Sequence, residues 1–296
     1  MELRILEYFL AIAREESISK AATYLHITQP TLSRQIKDLE NEFGKPLFIR
    51  GNRKITLTDE GMLLRKRAEE IVNLVEKTEA EMTTTDETIN GDIYIGGGES
   101  EGMRFIAKVI HHIQTEYPSV HFHLFSGNAE DVTERLDKGL IDFGILIEPA
   151  DMSKYDFIKL PSTDVWGLLM RKDSELASLD RITPNDLSNK SLICSQQALV
   201  KNEISGWLGK DFSKLNIIAT YNLIYNASLM VEEGNGYALC LDRLLNTSGD
   251  SNLCFKPLEP KLEVGIVLVW KKYQIFPKAA EYFLRKIQQE LSSYLK

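Results

Sequence analysis

The sequence predicts an α/β protein fronted by a small, mainly-α winged helix-turn-helix and completed by a larger two-lobed C-terminal part. Three observations predict it. Apolar residues recur at helical spacing through residues 3–43, with cap residues where each helix would begin. From residue 92 onward, short apolar runs of strand length alternate with helical stretches, as in a parallel α/β sheet. Charge is divided unevenly. Residues 1–67 hold 12 Lys and Arg against 9 Asp and Glu, a surplus of 3, which leaves −11 for the rest of a 296-residue chain of net charge −8. A basic head on an acidic body fits a head that meets a polyanion and a body that does not.

Leu3, Leu6, Phe9, Leu10 and Ala13 mark a first amphipathic helix. Ser17 offers an N-cap for a short second helix carrying Ile18, Ala21, Ala22 and Leu25, in which the paired alanines let another helix come close. A third helix opens with Thr28 as cap and Pro30 in its first turn, where the missing N–H has no partner to lose. Its stripe is Leu32, Ile36, Leu39 and Phe43, and Gly44 suits the C′ position. Two helices joined this tightly read as helix-turn-helix.

On the third helix Pro30, Arg34 and Lys37 face away from the stripe, flanked by Thr31 and Ser33, while Asp38, Glu40 and Glu42 fall in the C-terminal half. A phosphate backbone would be repelled there and attracted to the N-terminal turns. Gln29, Thr31, Ser33 and Arg34 are therefore the candidates for base edges, Gln pairing with adenine and Arg with guanine. Arg50-Gly51-Asn52-Arg53-Lys54, ahead of Ile55-Thr56-Leu57, reads as a charged turn between two short strands. With Lys37, Arg50 and Arg53 would meet phosphate.

Ser19-Lys20-Ala21-Ala22, the run from Thr28 to Glu40, Phe43-Gly44, Leu47-Phe48-Ile49-Arg50, Arg53, Leu57-Thr58 and Gly61 together resemble the LysR-type transcriptional regulators over the first 61 residues. The resemblance implies a winged helix-turn-helix on double-stranded DNA, a long linker helix, and a C-terminal domain like type 2 periplasmic binding proteins that senses a small-molecule effector. It implies no catalysis and no cofactor. Thr28 and Thr31 stand where the family often has Ser and Ala. The first change keeps the cap, and the second alters a candidate reading position.

Thr58 can cap a fourth helix, with Asp59 and Glu60 at its positive end and Gly61 as a close-packing position. Leu64, Ala68, Ile71, Val75, Thr78 and Met82 alternate steps of four and three, a coiled-coil seam under three heptads long. A single helix packed on its own domain is the alternative; the resemblance favours a homodimer, with a homotetramer left open. Two heads on one duplex would then sit at a spacing set by the protein.

Strands are expected at 93–95, 120–125, 142–147, 166–170, 191–194, 216–221, 237–241 and 264–270, with helices near 103–116, 128–139, 199–208, 223–233 and 277–295. Two such lobes make a cleft, and ligands bind beyond the carboxyl ends of the strands. That rule nominates Glu99, Ser100, Gly127, Asn128, Ile147, Ser195, Gln196 and Asn222. Unless they point away, Glu99, Glu101 and Glu148 disfavour an anion there and favour a neutral or cationic effector. The expected divisions are 1–58 for the head, 59–89 for the linker and 90–296 for the effector domain, its lobes being 91–162 with 266–296, and 163–265.

Sharper motifs weigh less. Gly98-Glu99-Ser100-Glu101-Gly102 fits the G-x-S-x-G elbow of a hydrolase, but that fold needs an acid and then a late His, and no His follows His123. His121 and His123 share a strand face with no third ligand at metal spacing, so no metal is expected. Cys194, Cys240 and Cys254 form no paired framework, and a reducing compartment suits them. No run approaches a membrane span, and the charged, periodic N-terminus is not a signal peptide. The expected location is cytoplasmic. A solute-binding protein and an enzyme remain the rival classes.

Overall fold

The computed structural model describes residues 1–51, 54–83, 89–196, 203–209 and 215–294. The chain divides after residue 84 into two compact units.

In the first unit, α1 (Leu3–Glu15), α2 (Ile18–Tyr24) and α3 (Gln29–Phe43) precede an antiparallel pair, β1 (Phe48–Arg50) and β2 (Ile55–Leu57), and a long helix, α4 (Asp59–Thr83). The caps form where the sequence places them: Lys20 N donates to Ser17 Oγ at 3.4 Å and Thr31 N to Thr28 Oγ1 at 3.4 Å. Gly44 closes α3 with φ +65°, a conformation glycine takes without penalty. The core joins Ile5, Leu6, Phe9 and Ile12 of α1 to Ala21 and Ala22, to Leu32, Ile36 and Leu39, and to Phe48. Two details differ from expectation. The α1 stripe is rotated towards Ile5 and Ile12, and Phe43, in the last turn of α3, lies 43% exposed beyond the end of the core.

α4 settles an ambiguity in its pattern. Gly61, Ala68 and Val72 are buried within the head, with Leu64 packed against the same core, while Met62, Leu63, Ile71, Leu74 and Met82 remain exposed. The expected seam is thus split: Leu64 and Ala68 pack inward, and Ile71 and Met82 face outward.

The second unit contains, among the described residues, one nine-stranded sheet in the order β4-β3-β5-β11-β6-β9-β7-β8, with β10 added to β6. β3 (Gly91–Gly97), β4 (Val120–Ser126) and β5 (Phe143–Ile147) are parallel and alternate with α5 (Gly102–Glu116) and α6 (Ala129–Asp137). β7 (Ser191–Ser195), β8 (Asn216–Tyr221) and β9 (Tyr237–Leu241) repeat the arrangement with α7 (Glu203–Leu208) and α8 (Ile224–Glu232). Residues 199–202 of the expected helix lie outside the described residues. α9 (Lys278–Tyr294) packs Ala279, Ala280, Phe283 and Ile287 into the core of β3 and α5.

β6 (Tyr155–Arg171) and β11 (Glu263–Lys271) link the lobes. β6 pairs with β11 over its first half and with β9 and β10 (Leu253–Pro257) over its second. The β6–β11 register shifts between Gly265 and Val267, opposite Leu160, Pro161 and Ser162. Proline has no N–H to give a ladder and belongs at such a break. β6 begins eleven residues before the expected strand at 166, and β10 was not expected at all.

Candidate functional site

The exposed end of α3 carries the candidate nucleic-acid contacts. Gln29, Pro30, Thr31, Arg34 and Lys37 are exposed and Ser33 is half-buried. Arg34 is 84% exposed and its Nε stands 3.9 Å from Asp38 Oδ2, too far for a hydrogen bond, so its guanidinium is available. Thr31 differs: its hydroxyl shares a 2.8 Å hydrogen bond with the Thr28 hydroxyl, which ties it to the cap.

Glu40 has a role that its place in the sequence did not reveal. Its Oε1 accepts from Leu47 N at 2.8 Å and Phe48 N at 3.2 Å, fixing the base of the β1–β2 wing to the helix. The wing is also tied to α1, since Lys54 Nζ meets Glu16 at 3.3 Å and Ile55 N donates to Glu16 O at 2.9 Å. Arg50 ends β1, and Arg53 lies outside the described residues.

The strand-end positions in the second unit are brought together within the first lobe, and one of them, Glu99, reaches the second. A Cβ on Gly98 would stand 3.7 Å from Gly127 O and 3.9 Å from Ile147 Cδ1, so three loop ends of the first lobe converge. Asn128 and Asp131 form a capping box on α6, with bonds of 2.9 and 3.1 Å. Ser100 is buried and its Oγ accepts from Gly102 N at 3.0 Å, closing a local turn at the start of α5. In the second lobe Ser195 is half-buried at the end of β7, Gln196 is exposed, and Asn222 Oδ1 accepts from Leu223 N at 2.9 Å. Glu99 crosses between lobes: its carboxylate accepts from Ile224 N in the first turn of α8, where the helix dipole favours negative charge.

That contact, with those of Glu101 and Glu148, weakens the argument from charge against an anion in the cleft. Glu99 is held by α8, and Glu101 by Arg104, whose hydrogen bond lowers the Glu101 pKa. Glu148 is held by Lys159 at 3.1 Å. All three charges are met from within the chain.

The sequence reading missed Asp164, which is fully buried on β6 beside the junction. Neither carboxylate oxygen has a hydrogen-bond partner of good geometry. Burial pushes its pKa up, with Asp242 adding to the rise, and the nearby Ser100 hydroxyl, Arg243 guanidinium and Glu101 amide oppose it. An acid whose folded pKa exceeds its unfolded one holds its proton longer in the folded state. Stability therefore falls as pH rises from the unfolded pKa to the folded one, and stays lower above it. Asp164→Asn should stabilise the chain at pH 7 by about 1–3 kcal/mol and remove that fall, because a buried charge that its polar neighbours do not fully offset is replaced by a neutral isostere. Urea melts from pH 4 to 8 read this, and an Asn variant less stable than the parent at pH 7 refutes it.

Other titratable groups lie elsewhere. His123 Nε2 meets Asp92 at 2.8 Å and stacks on Tyr94, and His112 meets Glu290 at 3.1 Å. Cys194 and Cys240 are buried, which pushes both thiols up to about 12 and keeps them un-ionised. Among the described residues no group of three or more His, Cys, Asp or Glu is placed to hold a metal ion, and no helix is long and apolar enough to cross a membrane.

Residues 3–62 match the profile of the bacterial regulatory helix-turn-helix protein, lysR family, and residues 86–292 match that of the LysR substrate binding domain. The Hca operon transcriptional activator HcaR of Escherichia coli (strain K12) is 26% identical, covering 99% of both chains. The hydrogen peroxide-inducible genes activator of Pectobacterium carotovorum subsp. carotovorum is 27% identical over 90% of both. Among solved structures, full-length CbnR complexed with its target DNA aligns over 98% of this chain and 99% of that one, with a TM-score of 0.72 at 17% identity. Full-length BenM aligns over 99% and 97%, with a TM-score of 0.54 at 25% identity.

Proposed function

The chain belongs to the LysR family of bacterial regulators, DNA-binding proteins with an effector-binding C-terminal domain, and from that premise we propose how its residues divide the work. Gln29, Thr31, Ser33 and Arg34 read bases in the major groove, with Pro30 shaping the turn that enters it. Lys37, Arg50 and Arg53 hold phosphate and make affinity fall with salt. The observation that carries this is the exposed, cationic N-terminal end of α3, where Arg34 makes only a long ion pair with Asp38.

The head is 1–58, the linker 59–89 and the effector domain 90–296, with the lobe boundaries near 162 and 265. Exposed Ile71, Leu74 and Met82 on α4 support pairing with a second copy, and two linked heads raise the effective concentration of the second DNA contact. Light scattering on the full chain distinguishes the homodimer from a homotetramer. The effector is a small molecule held by Glu99, Ser100, Gly127, Asn128 and Ile147 from one lobe and Ser195, Gln196 and Asn222 from the other. It acts by binding one lobe arrangement better than another.

On this reading the chain is a regulator and not an enzyme, as its relatives are regulators and no histidine follows His123 to complete a hydrolase triad, and a protein that works on genomic DNA works in the cytoplasm. Footprinting on its own upstream region, with and without candidate metabolites, tests the whole proposal. Protection of two half-sites is the expected result. Protein that is folded yet indifferent to every duplex at low ionic strength overturns it.

A further inference from the structure

A cavity of 580 Å³ opens beside the lobe junction, and none of the eight residues assigned to the effector cleft lines it. Its size is that of a site for a small molecule. Arg104, in the first turn of α5, contributes from the first lobe. Asp242, Arg243, Asn246, Thr247 and Lys261 contribute from the second. Three cations and one carboxylate around a single cavity stand out in a chain whose residues beyond 67 carry a net charge of −11.

Each cation is held in place and still has donors left. Arg104 uses Nε on Glu101, and Lys261 pairs with Glu263. Arg243 gives Nε to Asp242 at 2.9 Å and Nη2 to Thr163 O at 3.0 Å. A guanidinium offers five N–H donors and an ammonium three, so all three side chains keep donors for a ligand. Their carboxylate partners fix their positions, and Asn246 and Thr247 add neutral polar groups to the wall. All three cations are more than half exposed, so a ligand meets them without a large desolvation cost.

We propose that this groove binds a small polyanion bearing carboxylate or phosphate groups, which Arg104 holds from one lobe and Arg243 and Lys261 hold from the other. The proposal rests on the reading of the C-terminal unit as the sensing part and gives that unit a second ligand site outside the strand-end cleft. A ligand gripped from both sides ties the lobes together, and so biases their arrangement to the extent that it binds one arrangement more tightly.

Calorimetric titration of the full chain with citrate, and separately with inorganic phosphate, tests it, with sodium chloride adjusted to hold ionic strength constant. Saturable binding of at least one probe is expected at millimolar concentration or below. It should weaken at least tenfold in Arg104→Gln, and likewise in the paired variant Arg243→Gln with Lys261→Gln. Binding of citrate alone assigns the groove to polycarboxylates, of phosphate alone to phosphate esters, and of both to anions of either kind. No saturable heat from either probe, or equal binding by folded variants, overturns the proposal. Arg104 is an exposed helix residue whose change leaves the core untouched, which keeps the test open if the paired variant fails to fold. A DNA gel shift without added anion reads the regulator assignment separately, so failure of one leaves the other standing.

Discussion

Replacing Arg34 with alanine is expected to relax base preference at one position of the operator by about 1–3 kcal/mol, roughly 5- to 150-fold, while leaving affinity for unrelated duplexes nearly unchanged. The reason lies in its surroundings. Its ion pair with Asp38 is long, at 3.9 Å, and makes no hydrogen bond, and the side chain is 84% exposed near the start of α3. A guanidinium in that setting can form the paired bonds to guanine O6 and N7 that no other base offers. Lys37→Ala should behave differently. It removes a mobile point charge one turn further along, weakens all sequences alike, and lowers the slope of log affinity against log salt by about one. Arg53, outside the described residues, is proposed to act as Lys37 does. Binding measured on the operator, on single-base variants of it and across a salt series separates the two behaviours. If Arg34→Ala and Lys37→Ala give the same selectivity profile, the division between base reading and phosphate contact is wrong.

What the sequence revealed follows from how local each signal is. α3 was legible because its start and stop are written in side chains that act within one turn: Thr28 as cap, Pro30 without a needed donor, and Gly44 at φ +65°. The parallel strands were legible as short apolar runs because helices cover them. The first half of β6 was not, since Tyr155 to Val165 is half polar, contains Pro161, and pairs only with a strand about a hundred residues later. α4 carries two overlapping apolar stripes. Spacing alone could not say which one the head would bury, and the split of Leu64 and Ala68 from Ile71 and Met82 is decided by α1 and the wing. The strand-end rule nominates positions by their place in the topology and says nothing of their chemistry. Glu99 looked like a charge facing a ligand, yet its partner is the backbone of Ile224, 125 residues away. Asp164, buried without a hydrogen-bond partner of good geometry, has no sequence signature beyond an Asp between Thr163 and Val165. Arg104, Arg243 and Lys261 are likewise ordinary surface residues until the fold places them around one cavity.

Gly61→Ala is expected to destabilise the head by about 3 kcal/mol or more, although alanine is the better helix former by about 1 kcal/mol. A Cβ at Gly61 would sit 2.1 Å from Leu47 O and 3.1 Å from Leu57 Cδ2. The first obstacle is backbone and is itself pinned, because Thr58 N donates to Leu47 O at 3.0 Å. The helix cannot retreat easily either. Thr58 Oγ1 accepts from Gly61 N at 2.9 Å and donates to Pro46 O at 2.9 Å, which holds the start of α4 to the chain entering the wing. Relief would require opening that cap or shifting the wing, and the wing is where Arg50 sits. Loss of DNA affinity should therefore accompany the loss of stability. Gly206→Ala in α7 is the control of opposite sign: nothing lies within 4 Å of its added Cβ, so helix propensity acts alone and the change should be neutral or stabilising by up to about 1 kcal/mol. Denaturant melts of both variants followed by circular dichroism, with gel shifts on the same samples, decide the matter. A Gly61→Ala protein as stable as its parent would mean that α4 does not start against Leu47, and the path from the wing into the linker helix would have to be redrawn.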